Sequence, residues 1–429
     1  MSIYSEYDKG LPSEAAKEEI LTKAPLAQML RRTRLSERLS LHMPGHLAAS
    51  AFPPSFCREA ISWDTTETAL TDNLLAPAEG GAVLAAEAAA ASYWGAGGAL
   101  LLAQGSTQGL QAMLLHYAGR GGRVLLSGAT HKAVRQAAAF LELELVTLPP
   151  GTADPEEAES LRYPLPQSAG PKTLQAFLEK DQDFSAFLCT SPDYYGQLAD
   201  IRGLAEVLEA YEIPFLLDAA HGAHLKACRK ARGTEDYPVF PVTAAVMSLH
   251  KTLPALTGAA LLLTKEKEAV APLRRAADFW GSSSPSLLIA ASGDYARAYA
   301  EYAGARQAAG LKKALERFSS GLSELYGLNI RQEDYHGDPL RLVINTAAIA
   351  TGFEAEAYLT ARGLVPEMAD LCRLVFILPL AFPPEALGFL AEVLNEMAED
   401  FGRRKETRHI AADRRLRAAY ARRLFSSSR

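Results

Sequence analysis

Short apolar runs alternate with amphipathic stretches between about residues 80 and 265. The apolar runs predict buried β-strands at 99–103, 123–127, 144–148, 186–190, 215–218, 244–248 and 259–264. Helical spacing of apolar residues lies between several of these runs, at 107–118, 131–140 and 201–211. Because strands that alternate with helices form a mainly parallel sheet covered on both faces, the pattern predicts an α/β fold.

The pattern changes after about residue 265, where helical stretches surround a Gly-Ser-Ser-Ser-Pro-Ser segment. A helix near 300–325 then leads into a smaller α/β unit, with predicted strands near 340–350 and 374–378 and a closing helix at 384–401. The segment 149–171 is rich in Pro, Gly and acids and is predicted to be a surface loop. We divide the chain into an N-terminal arm (1–50), a major domain (51–300), a small C-terminal domain (301–402) and a basic tail (403–429).

Composition narrows the class of protein. Apolar residues make up 48% of the chain and the formal net charge is −6, which argues against a nucleic-acid-binding protein. No long apolar run predicts a membrane helix, the polar N-terminus lacks a signal-peptide core, and the four cysteines are scattered, so we expect a cytoplasmic protein. The tail has ten Lys or Arg against two acidic residues, and we interpret it as a solvated helix, with a partner-binding helix as the alternative.

The first candidate for chemistry is the turn after the strand at 99–103. It reads Gln-Gly-Ser-Thr-Gln-Gly and includes Gly105, Ser106 and Thr107. Backbone N–H groups at a helix start, together with two hydroxyls, form a suitable cradle for a phosphate. The alternative is an ordinary helix N-cap.

The second candidate is Asp218, which ends an apolar strand and precedes Ala220, His221 and His224. A carboxylate at such a position is costly unless it meets a positive partner, and a protonated pyridine nitrogen would be one. A helix N-cap is one alternative. A metal ligand is another, but the sequence does not obviously supply further ligands and we predict no metal site.

The third candidate is Lys251, which follows the strand at 244–248 and is flanked by Ser248 and His250. Most lysines are simply exposed on the surface. A lysine in an apolar, partly cationic site has a lowered pKa and can form Schiff bases.

Together these motifs resemble the ornithine/lysine/arginine decarboxylase family, whose members are fold type I enzymes that use pyridoxal 5′-phosphate (PLP). The matching segments include LHMPGH, LLAQGSTQGLQAM, ATHKAV, SPDYYGQLADI, FLLDAAHGAHL, SLHKTLPALTGAALLL, SSSPSLLIAAS and VPEMADLCRLVFIL. The resemblance implies an aspartate aminotransferase-like large domain with a mainly parallel seven-stranded sheet, plus a smaller C-terminal α/β domain. It also implies PLP as cofactor and a homodimer or higher homo-oligomer.

The resemblance assigns roles to the catalytic candidates. Lys251 would form the Schiff base with PLP, and Asp218 would pair with the pyridine nitrogen. His131 would stack on the ring, and His221 would lie near the cofactor or the substrate carboxylate. The remaining cofactor contacts would come from the phosphate cradle and from small or hydroxyl side chains: Gly105, Ser106, Thr107, Ala220, Ser248, His250, and Ser282 or Ser283 of this or the neighbouring subunit.

The activity implied is decarboxylation of lysine, ornithine or arginine to the corresponding amine. Another fold type I reaction, such as that of a lyase or aminotransferase, is one alternative, and a catalytically reduced PLP-binding protein is another. A basic substrate needs an acid for its distal charge. Glu367 and Asp370 are candidates for that acid, although we interpret both in the first place as exposed loop acids.

The chain departs from the family pattern around the substrate. Ala219 stands where a glutamate usually follows the pyridine-binding aspartate, and Leu47 stands where a lysine usually follows the HMPGH motif. The segment 128–130 lacks the usual arginine and asparagine. No counterpart of the family's proline-rich C-terminal portion is found after about residue 400. These changes spare the residues expected to bind PLP and affect those expected to choose the amino acid.

Overall fold

The computed structural model of this protein describes residues 39–41, 53, 72–149, 168–233, 241–322, 329–330, 337–347, 349–384 and 386–403. The HMPGH motif of the predicted arm, Leu47, most of the predicted loop 149–171 and residues 404–429 of the basic tail lie outside these described residues. The predictions made for them therefore stay predictions.

The order of elements follows the predicted alternation. The strands are β1 (Leu39–Leu41), β2 (Gly98–Leu102), β3 (Arg123–Ser127), β4 (Glu144–Thr147), β5 (Ala186–Thr190), β6 (Phe215–Asp218), β7 (Ala244–Ser248), β8 (Ala260–Thr264), β9 (Asn329–Ile330), β10 (Arg341–Asn345), β11 (Leu364–Pro366), β12 (Met368–Ala369) and β13 (Arg373–Ile377). The α-helices are α1 (Ala82–Trp94), α2 (Gly105–Met113), α3 (Lys132–Leu141), α4 (Pro171–Leu178), α5 (Ile201–Ala210), α6 (Leu225–Ala231), α7 (Leu249–Thr252), α8 (Val270–Trp280), α9 (Leu287–Tyr302), α10 (Gly304–Gly321), α11 (Gly352–Thr360) and α12 (Ala386–Arg403).

Strands β2 to β8 form one seven-stranded sheet in the order β2-β8-β7-β6-β5-β3-β4. The pairs from β7 through β6, β5 and β3 to β4 are parallel. β8 is antiparallel to both of its neighbours, so β2 runs in the same direction as β7. The prediction of a mainly parallel seven-stranded sheet is confirmed, and each predicted strand lies within one residue of the observed bounds.

The sheet is buried on both faces, as its continuous apolar runs predict. In β5, Phe187 and Cys189 belong to one hydrophobic cluster, whereas Ala186 and Leu188 belong to the other. Fully burying one side chain such as Leu188 contributes about 1.5–3 kcal/mol, so the two clusters together fix the register of the strands. The carboxyl ends of the strands, where ligands of such sheets bind, are therefore held in fixed positions relative to one another.

Helix α2 packs against β7 and β8 of this sheet. A Cβ atom on Gly109 would lie 2.5 Å from Val246 Cγ2 of β7, so only glycine permits this close approach. The predicted helix 107–118 begins earlier than expected, at Gly105, and its last turn, Leu114–Ala118, is π-helical. The close contact brings the start of α2 to the carboxyl end of β7.

A second, antiparallel sheet has the order β12-β13-β10-β9, and β1 pairs in parallel with β11. The predicted strand near 340–350 ends at Asn345, because the chain turns and Ile349 and Ala350 donate hydrogen bonds to the Thr346 carbonyl. A smaller α/β unit is present as expected. Among the described residues, no helix has the length and apolar character needed to span a membrane.

A buried ion pair joins two helices of the larger unit. Glu87 of α1 is 4% exposed, and its Oε2 lies 2.5 Å from Arg274 Nη2 of α8. The other carboxylate oxygen accepts a hydrogen bond of 3.0 Å from Leu101 N. Burial raises the pKa of Glu87, and Arg274 counteracts this effect. Removing one partner of such a pair leaves an uncompensated buried charge.

We expect Arg274→Met to lower the free energy of unfolding by about 3–5 kcal/mol, because the Glu87 carboxylate then loses its counter-charge. The measurement is urea unfolding followed through the fluorescence of Trp94 and Trp280. The matched control is Glu87→Gln combined with Arg274→Met, which removes both charges but keeps an acceptor for Leu101 N. The double variant should be more stable than Arg274→Met alone, and equal or lower stability would contradict this account of the pair.

Candidate active site

Several predicted site segments meet at one edge of the seven-stranded sheet. β6 ends at Asp218 and its parallel neighbour β7 ends at Ser248. β2 runs in the same direction, and the chain that leaves it opens α2 at Gly105. Ligands of open α/β sheets bind outside the carboxyl ends of strands, which is the edge described here.

Asp218 is a buried acid, with 2% of its surface exposed. Its Oδ1 accepts a hydrogen bond of 3.1 Å from Ala220 N. Burial raises the pKa of the Asp218 carboxyl, while Lys251, the Ala220 N–H and His131 act in the opposite direction. An acid in this environment remains ionised only when positive charge is near.

Lys251 lies in α7, the single helical turn after β7. Its Nζ is 3.0 Å from His221 Nε2. Burial lowers the pKa of Lys251, and this effect outweighs Asp218 and Glu367, which raise it, while Arg341 lowers it further. A lowered pKa increases the fraction of neutral, nucleophilic amine near neutral pH.

His221 lies between Lys251 and an arginine of the second sheet. Its Nδ1 is 3.0 Å from Nη2 of Arg341, the first residue of β10. Burial lowers the pKa of His221 well below its ordinary value, and the positive charges of Arg341 and Lys251 lower it further. Sequence reasoning missed Arg341 because its partner is 120 residues away in the chain. The available signal was an arginine opening an apolar strand, where a charge is buried only with partners.

The predicted phosphate cradle is assembled at the start of α2. Ser248 Oγ donates a hydrogen bond of 2.8 Å to Ser106 Oγ, and Thr107 lies in the same first turn. Gly105 has φ +78°, and the space where its Cβ would lie is open. The backbone N–H groups of a first helical turn attract anions. His250 is turned away toward β8, where its Nδ1 is 3.0 Å from the Ala259 carbonyl oxygen.

The other predicted contacts are His131, Ala220, Ser282 and Ser283, and of these Ala220 bonds to Asp218 through its backbone N–H. His131 is exposed at the N-cap of α3, where its Nδ1 accepts a hydrogen bond of 3.2 Å from Ala133 N. Ala220 is buried in the turn after β6. Ser282 and Ser283 are exposed in the turn between α8 and α9. The roles given to these residues stay predictions.

Glu367 is half-buried and hydrogen-bonded, so its interpretation as an exposed loop acid is wrong. Its Oε1 accepts a hydrogen bond from the Tyr194 hydroxyl. The Tyr194 ring in turn contacts the His221 ring edge-to-face, with centroids 5.2 Å apart. Glu367 is close enough to Lys251 to affect its pKa, so an acid lies beside the candidate amine.

Asp370 is also half-buried, and the exposed-acid interpretation is wrong for it too. Its Oδ2 accepts hydrogen bonds from the Tyr195 hydroxyl at 2.9 Å and from Arg373 Nη1 at 3.2 Å. Its carboxylate charge is therefore balanced by a guanidinium of the same sheet. Of the two acids, Glu367 is the one that raises the pKa of Lys251.

His224, one of the two histidines that follow Asp218, bonds to an acid in the turn before β10. Its Nε2 lies 2.6 Å from Asp338 Oδ1, and both side chains are buried. Within the part of the chain that the structure describes, no group of three or more His, Cys, Asp or Glu is arranged to hold a metal ion.

The assembled groups fit pyridoxal 5′-phosphate. An aldehyde requires an amine, and Lys251 provides one with a lowered pKa. A protonated ring nitrogen requires an acid, and Asp218 is buried near that amine. A phosphate requires N–H and hydroxyl donors, and the Ser106–Ser248 pair lies at a helix start. These residues would hold the cofactor.

Comparisons with known proteins agree with this reading of the site. The family model described as "Orn/Lys/Arg decarboxylase, major domain" matches residues 24–318. An uncharacterised protein of Bacillus subtilis, YaaO, is 29% identical over 357 residues, which cover 80% of this chain and 71% of that protein. The arginine decarboxylase of Bacillus cereus is 24% identical over 387 residues, which cover 86% of this chain and 81% of that protein.

Solved structures show the same fold. The lysine decarboxylase of Francisella novicida superposes with a TM-score of 0.63 at 18% identity over 75% of this chain, and the match spans 52% of that longer protein. The serine palmitoyltransferase of Sphingomonas wittichii superposes with a TM-score of 0.62 at 16% identity, covering 85% of this chain and 88% of that one. The expected aspartate aminotransferase-like fold is confirmed.

The family match extends over more than half of the chain and includes all the residues that meet at the sheet edge, except those contributed by the second sheet. The expectations of a PLP-dependent decarboxylase family and of PLP as cofactor are confirmed with it. This chain belongs to the Orn/Lys/Arg decarboxylase family.

Proposed function

We propose that this protein decarboxylates a basic amino acid, namely lysine, ornithine or arginine, with PLP bound through Lys251. One observation carries the proposal. The Lys251 amine lies 3.0 Å from His221 and near the buried Asp218 carboxylate, at the strand ends of a chain of the decarboxylase family. A homodimer in the cytoplasm is proposed on the family resemblance alone.

The chain's residues would divide the work as follows. PLP, when bound, supplies an aldehyde that combines with amines and a ring that accepts electrons. Asp218 would hold the ring nitrogen protonated, because burial makes an unpaired carboxylate there costly. Ser106, Thr107 and Ser248 would bind the phosphate, and the exposed ring of His131 would provide a face for stacking.

Lys251 and His221 are the proposed proton-transfer groups. Lys251 Nζ, which is 3.0 Å from His221 Nε2, would deliver a proton to the carbon from which CO₂ leaves. Both groups titrate below their ordinary values because they are buried. For Lys251 this shift brings the pKa closer to neutral pH, whereas for His221 it favours the neutral imidazole.

The distal charge of a basic substrate would be recognised by Glu367. Its carboxylate is held by the Tyr194 hydroxyl, and the Tyr194 ring packs against His221. A cationic side chain entering beside Lys251 would meet this acid, and a hydrogen bond between charged groups contributes about 1.5–3 kcal/mol. Glu367 rather than Asp370 is proposed because Glu367 is close enough to Lys251 to raise its pKa.

The reaction can be tested with the PLP-loaded protein and a panel of amino acids. We expect release of CO₂ and an amine from at least one of lysine, ornithine and arginine, and no release by Lys251→Ala. Borohydride should fix the cofactor to a Lys251 peptide in the unchanged protein. Keto acid formation without CO₂ would contradict the proposal in favour of an aminotransferase, and a chromophore of unchanged reducibility in Lys251→Ala would remove Lys251 from its role.

We expect Ser106→Ala combined with Ser248→Ala to raise the Kd for PLP by at least about 100-fold, because two hydroxyl contacts with a charged phosphate are lost. Equilibrium dialysis of PLP against the protein measures this change. Ser320→Ala, in an exposed turn of α10, is the matched control and should leave the Kd unchanged. Equal affinity in the double variant would place the phosphate elsewhere.

We expect Glu367→Gln to lower kcat/KM for lysine or arginine by about 10–100-fold, because the charge is lost while the shape is kept. For norleucine, which lacks the distal cation, kcat/KM should change little. Asp370→Asn is the matched control. Its ratio of kcat/KM for the basic substrate to kcat/KM for norleucine should stay near that of the unchanged protein. An equal loss for both substrates in Glu367→Gln would show that this acid does not read the distal charge.

A further inference from the structure

Arg341 crosses from the second sheet to the turn behind Lys251. Its side chain is buried, and its Nη1 lies 3.4 Å from the Tyr194 carbonyl oxygen. The path passes directly over Gly196, where a Cβ atom would lie 2.6 Å from Arg341 Cβ. Gly196 also has φ +85°, a conformation that other residues rarely adopt. The backbone is therefore shaped to admit this arginine.

A second contact holds the guanidinium in place. Arg341 Nη2 lies 3.7 Å from Asp338 Oδ2, and the other oxygen of Asp338 bonds to His224 Nε2 at 2.6 Å and to Leu340 N at 2.9 Å. Burial alone would raise the pKa of Asp338, but the contacts with His224 and Arg341 hold it below the ordinary value. An ionised Asp338 thus lies near the same Arg341 Nη2 that bonds to His221.

The direction of the hydrogen bonds follows from the chemistry of arginine. A guanidinium has donors only, so His221 Nδ1 must accept the 3.0 Å bond from Arg341. A neutral imidazole that accepts at Nδ1 carries its proton on Nε2. That N–H points to Lys251 Nζ at 3.0 Å. An ammonium has no lone pair to accept it, so the pattern is complete only when Lys251 is a neutral amine.

We propose that Arg341 is a positioning residue that keeps Lys251 as a neutral, nucleophilic amine by fixing the proton of His221 on Nε2. The inference rests on the proposed role of Lys251 as the residue that binds PLP. An arginine of the second sheet would thus control the protonation of a lysine at the strand ends of the seven-stranded sheet.

Charged groups on several elements face Lys251. Asp218 at the end of β6 and Glu367 between β11 and β12 favour the ammonium form. Burial and Arg341 of β10 favour the neutral form. His131 at the start of α3 and His224 before α6 act on His221, whose pKa they lower. The pKa of Lys251 is lowered on balance, which agrees with the direction of the hydrogen bonds.

The test measures the protonation of Lys251 directly, in the full-length chain freed of PLP. Brief acetylation with acetic anhydride across a pH series, read by peptide mass spectrometry, gives the pH at which half of Lys251 reacts. We expect Arg341→Met to raise this midpoint by about 1–3 pH units, because a nearby like charge is lost and His221 Nδ1 no longer has to accept. Arg341→Lys, which keeps a cationic donor, should restore part of the shift.

The matched control is Arg373→Met, which changes a second buried arginine, the first residue of β13, opposite Asn345 at the far end of β10 from Arg341. Its Lys251 midpoint should equal that of the unchanged protein. An Arg341→Met midpoint equal to that of the unchanged protein would overturn the proposal. If KM for the substrate then rises instead, Arg341 contacts the substrate carboxylate.

His221→Gln supplies a second route that keeps Arg341 in place. It should raise the Lys251 midpoint, since a glutamine amide can accept a bond from an ammonium. The combination with Arg341→Met should raise it by less than the sum of the two single changes, because both break the same relay and only the lost charge of Arg341 adds to it. Additive shifts would show that Arg341 acts by charge alone, without His221, and would overturn the relay. Borohydride labelling of a lysine other than 251 would refute the proposed function while leaving these midpoints intact.

Discussion

The buried carboxylate of Asp218 imposes the constraint on which the rest of this site depends. A charge with 2% exposure at the end of an apolar strand must be compensated, and Lys251 is close enough to lower the pKa of this carboxyl. If that amine is kept neutral by the Arg341–His221 contact, it cannot serve as the full counter-charge. The edge then remains short of positive charge at Asp218. A protonated pyridine ring would supply this positive charge. The protein would therefore bind such a ring because its own residues leave the Asp218 carboxylate without a full counter-charge.

Close backbone packing makes this arrangement possible. Gly109 lets α2 approach β7, which brings Ser106 to Ser248, and Gly196 lets Arg341 pass to His221. Both contacts join elements that are distant in the chain, and both depend on a missing Cβ atom. The two hydrophobic clusters on the faces of the large sheet hold the strand ends between them. Groups on β6 and β7 can therefore keep hydrogen-bond distances although they come from separate turns.

Much of the fold could be predicted from the sequence because its signals are local. Apolar runs bounded by Gly, Pro and polar residues gave the bounds of β3, β5, β6 and β7 without error. Asp218, Ser248 and Lys251 were found since they follow those runs directly. Arg341, Asp338 and Tyr194 were missed, because each bonds to a partner more than a hundred positions away along the chain. Glu367 was misjudged for the same reason, since its burial depends on a tyrosine far upstream.

Because Arg341 reaches from one sheet to the other, it links the position of the second sheet to the protonation of Lys251. Its backbone belongs to β10, whereas the imidazole that it orients belongs to the turn after β6. A displacement of the second sheet by a few ångströms would break the hydrogen bond between Arg341 Nη2 and His221 Nδ1. The imidazole proton could then move from Nε2 to Nδ1. The amine would then take up a proton and lose its reactivity toward aldehydes. The protonation state of Lys251 would thus depend on whether the second sheet is packed against the seven-stranded sheet.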